Sequence, residues 1–214
     1  MNQYKYGVYL MTCVCGTVDA ICILGLNGVF ADMMTGNLLM LAISLGTWHE
    51  LGESGKYLRA MIAFLIGLLI AGLILKHPRP HKQPMMGYAL VWLLIGLSFV
   101  MTWFLNLTQY NHGQFIVSLL ATAMGIHNGL IRVHGLPDLP TNLMTVTLSA
   151  LVTDSPLLKN KHERNLRRLV SICLFIVSVA LAAMLVKFFN IQVAMGAAFL
   201  LMTCALWFLS KLKQ

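Results

Sequence analysis

Long apolar runs separated by short polar breaks organise the chain. Six runs, 8–30, 57–75, 86–107, 113–131, 169–186 and 191–210, are long enough to cross a bilayer, which takes roughly 17–25 residues in a helix. Two more, 34–48 and 139–153, are shorter. At about 1.5 Å per residue each reaches only about 22 Å, against a hydrocarbon core of about 30 Å. The pattern predicts an all-α membrane protein, with about six transmembrane helices plus two short re-entrant or broken helical segments. These form a single integral membrane domain over 1–214. The first run carries Asp19 midway, eleven positions from each end. It lacks the short apolar stretch and small-residue cleavage site of a signal peptide, so a retained span is expected.

Composition agrees with that reading. The chain is 58% hydrophobic and 10% charged, with a mean hydropathy of +0.78, where soluble domains carry about 25% charged residues. A net charge of +8 would suggest nucleic acid in a soluble chain. In a membrane chain it reads first as topology, and no nucleic-acid partner is expected. If neither short run crosses and the N-terminus is inside, every basic residue except Lys56, Arg59 and Lys187 lies inside, as the basic bias of cytoplasmic loops requires. If both short runs cross, Lys159, Lys161, Arg164, Arg167 and Arg168 move outside. Six spans with both termini cytoplasmic fit better, and eight spans are the alternative. Within that basic loop, Ser155 followed by Pro156 reads as a helix start leading an interfacial helix into the fifth long span.

Six spans have a consequence. The order long, short, long, long occurs twice, from opposite sides of the membrane: an inverted repeat of about 8–107 and 113–210, as in many secondary transporters. Thr35-Gly36-Asn37-Leu38 lines up with Thr145-Val146-Thr147-Leu148, and Asp19-Ala20 with the neighbourhood of Asn128-Gly129.

Polar groups in apolar surroundings are the candidate chemistry. Asp19 is either a proton- or cation-coupling carboxylate or a structural partner for Ser, Thr or Asn on a neighbouring helix. The stretch ADMMTGNL at 31–38 puts Asp32, Thr35, Gly36 and Asn37 between two apolar runs. Thr35 is placed to cap a helix over 37–47 whose N-terminus would attract an anion. The alternative is an extramembrane turn. In the second half, His127 and Asn128 suit either a binding site or inter-helix hydrogen bonds. Arg132 suits a pair with Asp138 or Asp19, a bidentate grip on a carboxylate, or an interface anchor. The candidate substrate-binding set is Asp19, Thr35, Gly36, Asn37, His127, Asn128 and Arg132.

The first-half residues resemble the opening signature of the YoaK family, bacterial polytopic inner-membrane proteins with a domain of unknown function. That signature is met by Gly16, Asp19 and Ala20, then Gly28 and Phe30, then Met34, Thr35, Gly36 and Asn37. The family's second signature corresponds to Gly125-Ile126-His127-Asn128 with Arg132, followed by Thr141, Thr145 and Thr147. His127 stands where the family usually has Gln, and Val146 where it usually has Gly. The resemblance implies a multi-pass protein of the bacterial inner membrane with about six spans, and no established activity.

The five cysteines lack CxxC spacing and the scattered histidines offer no His-x-x-x-His pair on one helical face, so no metal or cofactor is expected. The hydrolase elbow, P-loop, HExxH and Rossmann motifs are absent, and the chain is expected not to be an enzyme. The expected function is a small-solute transporter or permease with a midplane polar site. It would carry a small polar or anionic solute with proton or cation coupling. The alternative is a non-transporting scaffold, sensor or assembly protein. Expected partners are the lipid bilayer and, for a homo-oligomer, further copies of the chain.

Overall fold

The computed structural model describes residues 2–47, 51–76, 83–107, 109–134, 144–153 and 162–210. Among them lie eight helices: α1 (Asn2–Gly25), α2 (Met34–Thr47), α3 (Leu51–Leu75), α4 (Gln83–Phe104), α5 (Tyr110–His134), α6 (Met144–Thr153), α7 (His162–Phe188) and α8 (Ile191–Ser210). All except α2 and α6 are long and apolar enough to span a membrane, and they coincide with the six long runs. The helix start read at Ser155 and Pro156 lies outside the described residues, as do Asp138 and Thr141.

One boundary differs from the sequence reading. The first run extends to residue 30, but α1 stops at Gly25. Asn27 and Gly28 adopt left-handed φ of 61° and 68°, a conformation that ends helices and favours Gly and Asn. The apolar residues that follow then turn back into the bundle. Asp19 is therefore six residues from the end of α1, about 9 Å at 1.5 Å per residue, rather than at the middle of a span.

The helices α1 and α5 form the centre. Of the most apolar window in each, 72% and 56% is buried, against 33% or less for the other four spans. Against α1 pack α7 and α8; against α5 pack α3 and α4. Facing residues give the directions. Gly7 meets Leu209 while Gly25 meets Ile191, so α8 runs antiparallel to α1. The Thr12 and Ser171 hydroxyls are 3.5 Å apart, and Gly16 faces Ser178 further along, so α7 runs parallel to α1. Trp92 Nε1 donates to Thr203 Oγ1 at 2.9 Å, and Gln192 Nε2 to the Thr102 carbonyl at 3.1 Å, so α4 and α8 are antiparallel. Between them Gly96 receives the Phe199 ring and Gly196 the Phe99 ring.

These directions decide the topology. Both α1 and α4 oppose α8, so they point the same way. Consecutive spans α3 and α4 alternate, which makes α3 opposite to α1. An α2 that crossed would make them parallel. The same reasoning excludes a crossing by α6, because α4 and α5 alternate while α7 is parallel to α1. The six-span reading holds, and the eight-span alternative does not.

The face at which α1 ends is here called the exit face. Ser44 Oγ of α2 and Ser54 Oγ at the start of α3 lie 2.7 Å apart, so α2 climbs back to the exit face. At the opposite face α6 ends beside α7, where Arg168 Nη1 donates to the Ala150 carbonyl at 3.0 Å. A cation on the carbonyl end of a helix is favourable both as a hydrogen bond and against the helix dipole. Each short helix has one buried residue, Asn37 in α2 and Thr147 in α6. The aligned tetrapeptides 35–38 and 145–148 contain both.

Candidate functional site

The descent of residues 26–33 into the bundle removes backbone from water at membrane depth. Non-helical backbone there is tolerated only when protein or an aqueous cavity satisfies its polar groups. Asp19 does most of this. Its Oδ1 accepts the backbone N–H groups of Ala31 and Asp32, both at 2.8 Å, and its Oδ2 accepts that of Met33 at 3.1 Å. Asp19 is buried and, among the described residues, forms no ion pair. Its partners are backbone amides rather than Ser, Thr or Asn of a neighbouring helix.

Asn37 satisfies the strand of chain next to that loop. Its Nδ2 donates to the Phe30 carbonyl at 2.7 Å and its Oδ1 accepts the Phe30 N–H at 2.9 Å. The side-chain amide thus pairs with one residue's backbone as a second strand would. Gly36 allows this arrangement, since a Cβ there would drive into the Phe30 ring.

The start of α2 differs from the sequence expectation. The helix begins at Met34, not 37, and Thr35 is an exposed residue of its first turn. It caps nothing. The N–H of Met34 goes to the Asp32 carbonyl at 2.9 Å, and those of Gly36 and Asn37 to the Met33 carbonyl at 3.0 and 3.4 Å. The physical reason is that Asp19, twelve to fourteen residues upstream, takes the three donors before the helix, so no local hydroxyl is needed. The seat for an anion at the head of α2 is filled by the chain's own carboxylate.

The second half reaches this site through Asn128. Its Nδ2 donates to Asp32 Oδ1 at 2.5 Å and to the Met124 carbonyl at 2.9 Å. Asn128 lies six residues before the end of α5, as Asp19 does in α1. Because the two helices run oppositely, these residues sit on either side of the membrane middle, with Asp32 bridging them. His127 is fully buried and turns to α4, its ring centroid 6.1 Å from that of Tyr88. Arg132 is exposed in the last turn of α5 and, among the described residues, makes no bond to Asp19. The structure therefore gathers Asp19, Asn37 and Asn128, with Gly36 as their spacer. It leaves Thr35 and Arg132 outside and puts His127 on an adjoining seam.

Asp32 was not in the candidate set drawn from the sequence, although it is buried and joins the two halves. Its signal was the mismatch between an acidic residue and the apolar runs on both sides of it. No cluster of three or more His, Cys, Asp or Glu suited to a metal occurs among the described residues.

Comparison with known proteins places the chain in a wider group. A family model described as "Protein of unknown function (DUF1275)" matches residues 7–207. The chain is 27% identical over 160 residues to the UPF0700 transmembrane protein YoaK of Bacillus subtilis (strain 168), covering 72% of this chain and 69% of that protein. No solved structure matches.

Proposed function

The chain belongs to the family of unknown function DUF1275, and from that premise we propose that this polytopic membrane protein is a secondary transporter for a small polar or anionic solute. The observation that supports the reading is the loop 26–33, a polar stretch of backbone taken to the middle of the membrane and joined to both halves of the chain. Asp19 holds it from α1 and Asn128 meets it from α5. In this reading Asp19 keeps the loop in place and Asp32 is the carboxylate that couples a proton or cation. Two buried carboxylates make the site acidic. A neutral polar solute enters alone, and an anionic one enters with a proton or cation that offsets the repulsion.

The inverted repeat belongs to the same proposal. It is supported by the exchange of partners, α1 with α7 and α8, α5 with α3 and α4, and by the reciprocal Gly96–Phe199 and Gly196–Phe99 contacts. In such repeats the two halves rock about a fixed site. The excess of basic residues facing away from the exit face supports an inner membrane location with both termini cytoplasmic.

The test is transport by the purified chain in proteoliposomes, read as uptake of labelled solute under an imposed proton or sodium gradient. It is run beside thermal unfolding with the same solute panel. A ligand at 100 times its Kd stabilises by about 2.7 kcal/mol. The expected result is saturable uptake of one solute class, reduced at least about tenfold in Asp32→Asn with little change in unfolding temperature. No uptake and no unfolding shift with any solute, in either protein, would favour the scaffold reading.

A further inference from the structure

The same contacts occur twice in the bundle. On the α1–α7 seam Cys13 Sγ meets the Leu174 carbonyl, and Gly16 meets Phe175 and Ser178. On the α3–α5 seam Thr122 Oγ1 donates to the Ala63 carbonyl at 3.2 Å, and Gly125 meets Phe64 and Gly67. One constant shift from α1 to α5, and another from α3 to α7, carry one set onto the other. The shift that takes Cys13 to Thr122 and Gly16 to Gly125 also takes Asp19 to Asn128. The α4–α8 seam maps onto itself. Gly96 receives Phe199 as Gly196 receives Phe99, and the two phenylalanine rings stack with centroids 6.1 Å apart. An exchange of conformation between the two halves therefore leaves the α4–α8 seam intact.

Away from that seam, the exit face holds a different kind of contact. Asn27 Nδ2, at the start of the loop, donates to the Tyr110 carbonyl at the head of α5, at 3.1 Å. Gly113 packs on the same Asn27 side chain. The guanidinium of Arg59, an exposed residue, lies 6.0 Å from the Tyr110 ring centroid, so this clasp stands at the water edge. It is also the weaker hold on the loop. One neutral hydrogen bond contributes less than the three bonds that Asp19 accepts with its carboxylate. The loop therefore stays with α1 when it parts from α5. The Asp32–Asn128 bond lies near the middle of the membrane, where rocking displaces the chain least. Helical steps of three to four carry the α5 face beneath the clasp from Gly113 through Val117 and Met124 to Asn128. Val117 and Met124 are fully buried.

We propose that the Asn27–Tyr110 clasp is the exit-face gate of a chain that rocks on its α4–α8 seam. When the clasp parts, water and solute reach the buried face of α5 that leads to Asn128 and Asp32. The purpose of the gate rests on the transporter reading, but its opening needs no solute.

The experiment places a single cysteine, Val117→Cys, in a full-length background free of the native cysteines. Its labelling rate is measured in proteoliposomes with an impermeant methanethiosulfonate added from either side. Asn27→Gly is the first gate variant, because glycine accepts the left-handed φ of 61° and removes the donor. Asn27→Asp is the second, since it keeps the side-chain shape and cannot donate when ionised. The expected result is slow labelling from the exit side with Asn27 in place and about fivefold faster labelling in both variants, the factor that one net hydrogen bond is worth. Ala121→Cys, also fully buried on α5, is read in the same way should Val117→Cys fold poorly. Unchanged rates in both variants would overturn the proposal. So would equal acceleration from the two sides, or no labelling in any of the proteins. Faster exit-side labelling with no uptake of any solute keeps the gate and removes the transporter reading, whereas uptake with unchanged labelling does the reverse.

Discussion

Replacing Asp19 with leucine lowers the stability of the protein by at least about 3 kcal/mol, the largest effect expected from any single polar site here. Three backbone donors, those of Ala31, Asp32 and Met33, lose their acceptor at once. Each buried amide left unpaired costs about 1–3 kcal/mol, and at membrane depth little water is available to replace the carboxylate. Leu is close to Asp in reach and far more at home in the bilayer, so its easier insertion offsets only part of the loss. Asp19→Asn loses less, because one amide oxygen still accepts up to two of the three bonds. The comparison is made by unfolding in detergent, with hydrogen exchange at residues 31–33 as a local readout. The leucine variant should expose those amides while exchange in the α3–α5 seam stays slow. Equal stability of wild type and Asp19→Leu would show that the loop is held by something else.

The second large effect is at Gly125. A methyl group there would fall inside contact distance of the Phe64 carbonyl oxygen, and one at Gly67 inside that of the Thr122 carbonyl oxygen. Each glycine is facing the other helix's backbone, as at the close contacts that small residues permit in membranes. Gly125→Ala therefore separates α5 from α3 and costs about 2–3 kcal/mol by overpacking, although alanine is the better helix former by about 1 kcal/mol. Gly72, on the same α3, has nothing within 4 Å of its would-be Cβ. Gly72→Ala should be neutral or stabilising by up to about 1 kcal/mol. Opposite signs for these two glycine-to-alanine changes, measured by unfolding in the same detergent, test the register of the central seam. Matching small effects would mean that α3 and α5 are not in backbone contact.

Much of the fold was legible in the sequence because the bilayer leaves few choices. A run of twenty apolar residues must be helical and must span, so α3, α4, α5, α7 and α8 follow from length alone. The basic loops then made six spans preferable to eight, and the observed helix directions agree. The end of α1 was not legible. Leu26, Val29 and Ala31 are as apolar as a continuing span, but they are buried against the bundle instead of facing lipid. Hydropathy does not distinguish these two surroundings.

The site was legible in its residue types and less so in its geometry. Asp19 and Asn37 stood out as polar groups in apolar surroundings, and both hold the loop. That Asp19 would act twelve to fourteen residues away, on backbone amides, depends on a return of the chain that no local pattern signals. The same long reach displaced Thr35 from its expected cap. Arg132 sits at the end of its span, as end-of-span basic residues do. The role of Asp32 is not legible locally because it comes from Asn128, 96 positions away.

In this topology α2 starts inside the bundle and returns to the face from which the chain entered. Single cysteines at Thr47, Asn106 and Lys76, in a background free of the five native cysteines, test it by labelling with a membrane-impermeant maleimide in oriented vesicles. Thr47 ends α2, Asn106 lies between α4 and α5 at the exit face, and Lys76 follows α3 at the opposite face. The expected result is that Thr47→Cys and Asn106→Cys label from one side and Lys76→Cys from the other. Thr47→Cys labelling from the Lys76 side would mean that α2 crosses, and the re-entrant loop with its Asp19 latch would be wrong.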